Sequence, residues 1–144
     1  MVFPAAHVTL FYAMIAQAAL VISLLFALGI GRFRAASKGR AKRGPDGALI
    51  FPQKLIQLSD CVNNQFQVPS LFFVAALLAL HVGAAGPVFA ILAWVFVIFR
   101  VVHAVIFATT NVILHRFLAF VVGALIVLVM WVMILVHLLT IPAI

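Results

Sequence analysis

The residues most able to do chemistry lie between Asp60 and Phe73, a stretch reading Asp-Cys-Val-Asn-Asn-Gln-Phe-Gln-Val-Pro-Ser-Leu-Phe-Phe. On a helix of about 3.6 residues per turn, Gln57, Asp60, Asn64 and Gln67 share one face, opposite Leu58, Val62 and Phe66. The segment is otherwise built for lipid, and a polar stripe there must face protein or water, because hydrocarbon offers no hydrogen-bond partner. A second set lies further along the chain: Arg100, His103, Phe107 and Asn111 recur at helical spacing within another apolar run. His115 and Arg116 open the last apolar run, and Arg32 and Arg34 close the first. Together these cations form an expected ring at one membrane level. Such a ring above a polar cleft suits a small anionic ligand, and the arginine fork grips carboxylates in a bidentate manner. An apolar co-substrate could reach the same cleft through the lipid.

Four elements must position these residues. Of the 144 residues, 68% are hydrophobic and only 8% charged, more apolar surface than a soluble domain can hide. Long apolar runs without strand alternation indicate an all-α membrane protein, one domain of four transmembrane helices. The expected helices cover about 7–30, 52–82, 88–108 and 115–139. Pro69 is expected to bend the second, because proline removes a helical hydrogen bond. The first run is not a cleavable signal: its basic residues follow the apolar core instead of preceding it.

The formal charge of +7 is concentrated, with six of the nine Lys and Arg residues lying between Arg32 and Arg43. By the positive-inside rule the loop 31–50 is cytoplasmic, and with four spans both termini are non-cytoplasmic. The same basic run could touch lipid headgroups. No nucleic-acid motif accompanies it, which argues against that class of partner. No histidine pair has zinc-like spacing, so no metal is expected. Cys61, the one cysteine, reads as an inert core thiol. A lone charge at the depth of Asp60, about 12 Å in, is costly, and Arg100 falls at a similar depth. An Asp60–Arg100 ion pair between helices is therefore expected.

These residues resemble a known family. Asn64-x-x-Gln67-x-Pro69 followed by Leu71-Phe72-Phe73 is similar to the second-helix signature of the membrane-associated proteins in eicosanoid and glutathione metabolism (MAPEG). Arg100-x-x-His103 resembles that family's Arg-x-x-His, Arg116 falls where it has an arginine near the glutathione sulfur, and Arg32-x-Arg34 resembles the basic end of its first helix. The resemblance implies a homotrimer in the lipid bilayer, with glutathione as co-substrate held between subunits near the cytoplasmic side. It implies a transferase or peroxidase acting on lipophilic small molecules. Arg116 would then be catalytic, holding the thiolate, while Arg32, Arg34, Asn64, Gln67, Arg100 and His103 bind the peptide. The sequence also departs from the pattern. Gln67 replaces a glutamate, Phe107 and Phe120 replace tyrosines, and Asp60 stands at an often basic position. A non-catalytic member that binds lipid or another small ligand is the alternative reading.

The topology has a direct test. A compartment-sensitive reporter inserted in the Gly-Pro-Asp-Gly turn (44–47) should report the cytoplasm, and one fused after the last helix the opposite side. The reverse pattern would invert the orientation.

Overall fold

The computed structural model describes residues 4–140. Five helices carry the chain: α1 (Ala5–Ser37), α2 (Gln53–Asn64), α3 (Val68–Val82), α4 (Pro87–Ala108) and α5 (Ile113–Thr140). With α2 and α3 counted as one span, four stretches are long and apolar enough to cross a membrane. A small antiparallel hairpin, β1 (Lys42–Arg43) and β2 (Leu49–Ile50), joins α1 to α2. The helix α1 runs through Arg32 and Arg34 to Ser37, so those cations are helical and not part of the loop.

α4 is the central element, packing against α5, α1 and α2. Its buried residues, Phe89, Ala90, Ala93, Phe96, Val97, Arg100, His103, Ala104 and Phe107, repeat at spacings of three and four, which makes one continuous stripe. The apolar half of that stripe shares one buried cluster with Ala75, Ala76 and Ala79 of α3, which packs on α5 and α1, and with Leu10 and Ala13 of α1. Alanines let the backbones approach closely where lipid provides no hydrophobic drive between helices. Phe72 and Phe96 stack inside this contact at 4.5 Å between ring centroids. The outward faces carry exposed apolar residues such as Leu125, Leu128, Val132 and Leu135, which suit lipid.

The turn between α3 and α4 is set by local chemistry. Gly83 takes a left-handed conformation (φ 79°) as the cap of α3, and Pro87 opens α4 at a position needing no amide donor.

The expected second helix is not bent but broken. α2 ends at Asn64, and α3 starts at Val68 after the turn residues Gln65, Phe66 and Gln67. Pro69 lies at the start of α3, where its missing N–H costs nothing to the new helix but ends the old one. The last amides of α2 tighten instead: Gln65 N donates to Val62 O and Phe66 N to Asn63 O. The break divides the polar stripe expected on one face, leaving Asn64 at the end of α2 and Gln67 in the turn before α3.

Truncating Phe96 should open a void between α3 and α4. Phe96→Ala is expected to cost about 3 kcal/mol and to lower the thermal unfolding midpoint in detergent. An unchanged midpoint would mean that the stacked pair does not hold these helices.

Candidate functional site

A break inside a membrane span frees backbone carbonyls that only protein can satisfy. Here side chains do so. Arg100 Nη2 on α4 donates to Asn64 O at 2.9 Å, and Ser70 Oγ donates to Phe66 O at 2.7 Å. Arg100 Nε also donates to the side-chain oxygen of Gln65 at 3.3 Å, and that oxygen accepts a second bond from Gln17 Nε2 on α1, also at 3.3 Å. Gln17, Gln65 and Arg100 are all buried, so α1, the break and α4 are tied together by one polar network inside the apolar bundle. Cys61 is fully buried on α2, its Sγ 4.0 Å from Ala104 O.

The expected Asp60–Arg100 ion pair does not form. Asp60 is exposed, and what it offers its neighbours is its backbone carbonyl, which accepts from Asn64 Nδ2 at 2.9 Å. The guanidinium of Arg100 is held by neutral acceptors created at the break, which an argument from opposite charges could not foresee. Sequence reasoning misses Gln17 and Gln65 as network members. The available signal is a lone amide, Gln17, in the middle of an uncharged span.

One turn further along α4, His103 begins a pocket of about 210 Å³, lined by Asn64, His103, Ile113, Arg116, Phe117 and Phe120. Arg116 is fixed from two sides. Its Nη1 donates to Asn111 Oδ1 at 2.7 Å, and its guanidinium carbon lies 4.1 Å above the Phe107 ring, a cation–π contact. Asn111 can reach it because it adopts a left-handed conformation (φ 50°), which asparagine tolerates better than most residues. His103 Nδ1 lies 3.2 Å from the Arg116 carbonyl. A carbonyl only accepts, so Nδ1 carries the proton and the neutral ring keeps a lone pair on Nε2. That Nε2 is buried with no protein partner. Phe107 and Phe120 flank the imidazole at 5.7 and 6.1 Å.

Three of the site residues read from the sequence, Asn64, His103 and Arg116, therefore meet in one pocket. Arg100 stands behind it as the support of the break. Gln67 is exposed and does not line the pocket. Arg32 and Arg34 are also elsewhere, and on different faces of α1. Arg32 donates to Ser59 Oγ at 2.9 Å and lies over the Phe51 ring, while Arg34 lines a separate cleft with Lys38, Arg40 and Lys54. Within one chain the cations do not form the expected ring around a single site.

The fold and the site together define a polytopic helical membrane protein with a fixed arginine and an imidazole beside a small pocket. Comparison of the sequence with family models assigns it further: residues 10–136 match the MAPEG family, and the chain belongs to that family. No curated protein and no solved structure matches it.

The network predicts an order of damage. Gln65→Leu removes the acceptor shared by Arg100 and Gln17 and should cost about 2–3 kcal/mol, because one bond is to a charged donor. Gln17→Leu removes one neutral bond and should cost about 1 kcal/mol. Thermal unfolding of both variants in the same detergent checks the order, and equal losses would deny Gln65 its central place.

Proposed function

We propose that this protein is a membrane-embedded glutathione-dependent transferase or peroxidase acting on lipophilic electrophiles. The observation that carries the proposal is Arg116, a cation locked by Asn111 and Phe107 at the wall of a pocket that also presents His103 and Asn64. A thiolate is the nucleophilic form of a thiol, and a fixed positive charge favours it. In this reading the Arg116 guanidinium stabilises the sulfur anion, and the His103 ring forms the pocket wall beside it, with its Nε2 enclosed. Phe107 and Phe120 bring no hydroxyl, so the polar contact to sulfur rests on Arg116. The exposed side chains of Ile113 and Phe117 give the pocket an apolar edge on which a lipid-soluble electrophile can approach.

Two observations support completion of the site by further copies in a homotrimer. A pocket of about 210 Å³ is below the usual range for a ligand of this size. The polar residues Asp60, Asn63 and Gln67 are exposed along α2 and the break, a position that lipid cannot satisfy. Arg32 lies outside the pocket of its own chain, and in a trimer a neighbouring copy would supply this cation to the ligand carboxylates. In this reading loop 31–50 and the pocket face the cytoplasm.

The second reading, a non-catalytic member holding lipid or another small ligand, is favoured by Gln67. It is exposed, and it carries no charge with which to hold the ammonium group of glutathione.

Calorimetry of glutathione binding to the full chain in detergent separates the two. Micromolar to low-millimolar binding is expected, with Arg116→Ala weakening it roughly tenfold or more and abolishing the ultraviolet absorbance of the bound thiolate. Arg116→Lys should recover only part of the effect, since lysine keeps the charge but not the planar stacking on Phe107. No heat up to several millimolar glutathione would remove the enzyme assignment and leave the second reading.

A further inference from the structure

The cleft that holds Arg34 lies apart from the proposed thiol site. It measures about 350 Å³ and is lined by Arg34, Lys38 and Arg40 from the end of α1 and its following turn, and by Pro52, Lys54 and Leu55 from the start of α2. Its floor is a close helix contact. The Leu55 side chain packs onto Gly31, where a Cβ would lie 2.5 Å from its Cδ2 methyl. Four cations thus converge on one concavity, and among the described residues none of them forms an ion pair. Of the two acids in the sequence, Asp46 is turned to the hairpin, where its carboxylate accepts from Ala48 N at 3.1 Å.

The cations are also not consumed by the end of α1. The last carbonyls of that helix accept from backbone instead: Arg34 O from Lys38 N, Ala35 O from Arg40 N at 2.8 Å, and Ala36 O from Gly39 N. On the other wall, α2 starts after Pro52 with no side-chain cap and no acid in its first turn; Leu55 N donates to Pro52 O at 2.8 Å, and the positive end of the dipole has no side-chain counter-charge. Free cations and an uncapped helix start, facing one cavity, are the donor set that phosphate takes. Apolar side chains border this end of the molecule: Phe33 is 74% exposed, and Leu49 and Ile50 of β2 are about half exposed. Cations beside exposed apolar groups match the boundary between headgroups and acyl chains.

We propose that this cleft is a binding site for the phosphate of an anionic membrane phospholipid, with Arg34, Lys38, Arg40 and Lys54 as its ligands. The hairpin residues Leu49 and Ile50, with Phe33, lie against the acyl region beside it. The site differs from a diffuse attraction of the basic loop to lipid, because it depends on which cations are removed and not on how many.

The purified full chain in detergent tests this. Short-chain phosphatidylglycerol, short-chain phosphatidylcholine and inorganic phosphate are added separately, and the thermal midpoint is followed with concentration. Phosphatidylglycerol should raise the midpoint saturably, and the other two should not at matched concentration. A K38Q/R40Q/K54Q variant should need at least roughly tenfold more phosphatidylglycerol for the same rise. A K42Q/R43Q variant, which removes charge from β1 outside the cleft, should behave as wild type. Equal loss in both variants would overturn the site in favour of diffuse charge. An equal response to inorganic phosphate would overturn the lipid as its occupant. Should the triple variant fail to fold, native mass spectrometry of the wild type decides: retention of phosphatidylglycerol over phosphatidylcholine supports the site, and equal retention refutes it.

Discussion

A carbonyl released inside a lipid-spanning helix must find a donor within the protein, and the architecture around Asn64 follows from that requirement. Pro69 ends α2 there, and Arg100 supplies the donor from α4. A buried guanidinium has more N–H groups than one carbonyl can accept, so Gln65 adds its side-chain oxygen, and Gln17 anchors that amide to α1. Three elements distant in sequence are held at one level by these bonds. The break and the buried cation therefore explain each other. Either alone would be costly in hydrocarbon, and together they offset part of that cost, with Arg100 Nη1, Gln65 Nε2 and Gln17 Oε1 left as buried polar atoms without a partner among the described residues.

The pocket depends on this joint through short lengths of rigid helix. Asn64 is the last residue of α2, so its position at the pocket wall is set by the same turn that frees its carbonyl. His103 lies one turn beyond Arg100 on α4, and its ring is fixed by the carbonyl of Arg116. Arg116 belongs to the first turn of α5 but is oriented by Asn111, which lies before that helix, and by Phe107, which lies on α4. His103 and Arg116 are thus each held by residues from another element, while the Asn64 amide bonds back to Asp60 O on its own helix. A site held this way keeps its geometry without a flexible loop at the centre.

Much of this is legible in the sequence. Apolar runs mark the four spans, and the spacing of Arg100, His103 and Phe107 places them on one face of α4, where all three are buried. The family resemblance rests on short motifs in the right order, and the match over residues 10–136 shows it. The parts that are not legible have one source. In the sequence Pro69 reads as a bend, and a bend keeps Gln57, Asp60, Asn64 and Gln67 in register on one face. A break rotates α3 relative to α2, puts Gln65 inside, leaves Gln67 outside, and produces carbonyl acceptors that no residue letter records. Without those acceptors Asp60 is the only obvious partner for Arg100, which is why charge pairing suggests it. The separation of Arg32 from Arg34 has a simpler cause: residues two apart on a helix face nearly opposite ways.

The length of α1 has a mechanical consequence. The stretch from Ala5 to Gly31 carries no Lys, Arg, Asp or Glu, and as a helix it is about 40 Å long against a hydrocarbon thickness of about 30 Å. Such hydrophobic mismatch is relieved by tilt or by local thickening of the bilayer. α1 is also the least buried of the spans, so it is the one freest to lean. Its far end bears one wall of the basic cleft, and the start of α2 bears the other. Any tilt of α1 in a thinner bilayer would move the wall carrying Arg34 and Lys38 relative to the wall carrying Lys54 and Leu55. The span that anchors the chain is thus also one half of the charged groove, so the fit of its length to the bilayer and the shape of the groove are not independent.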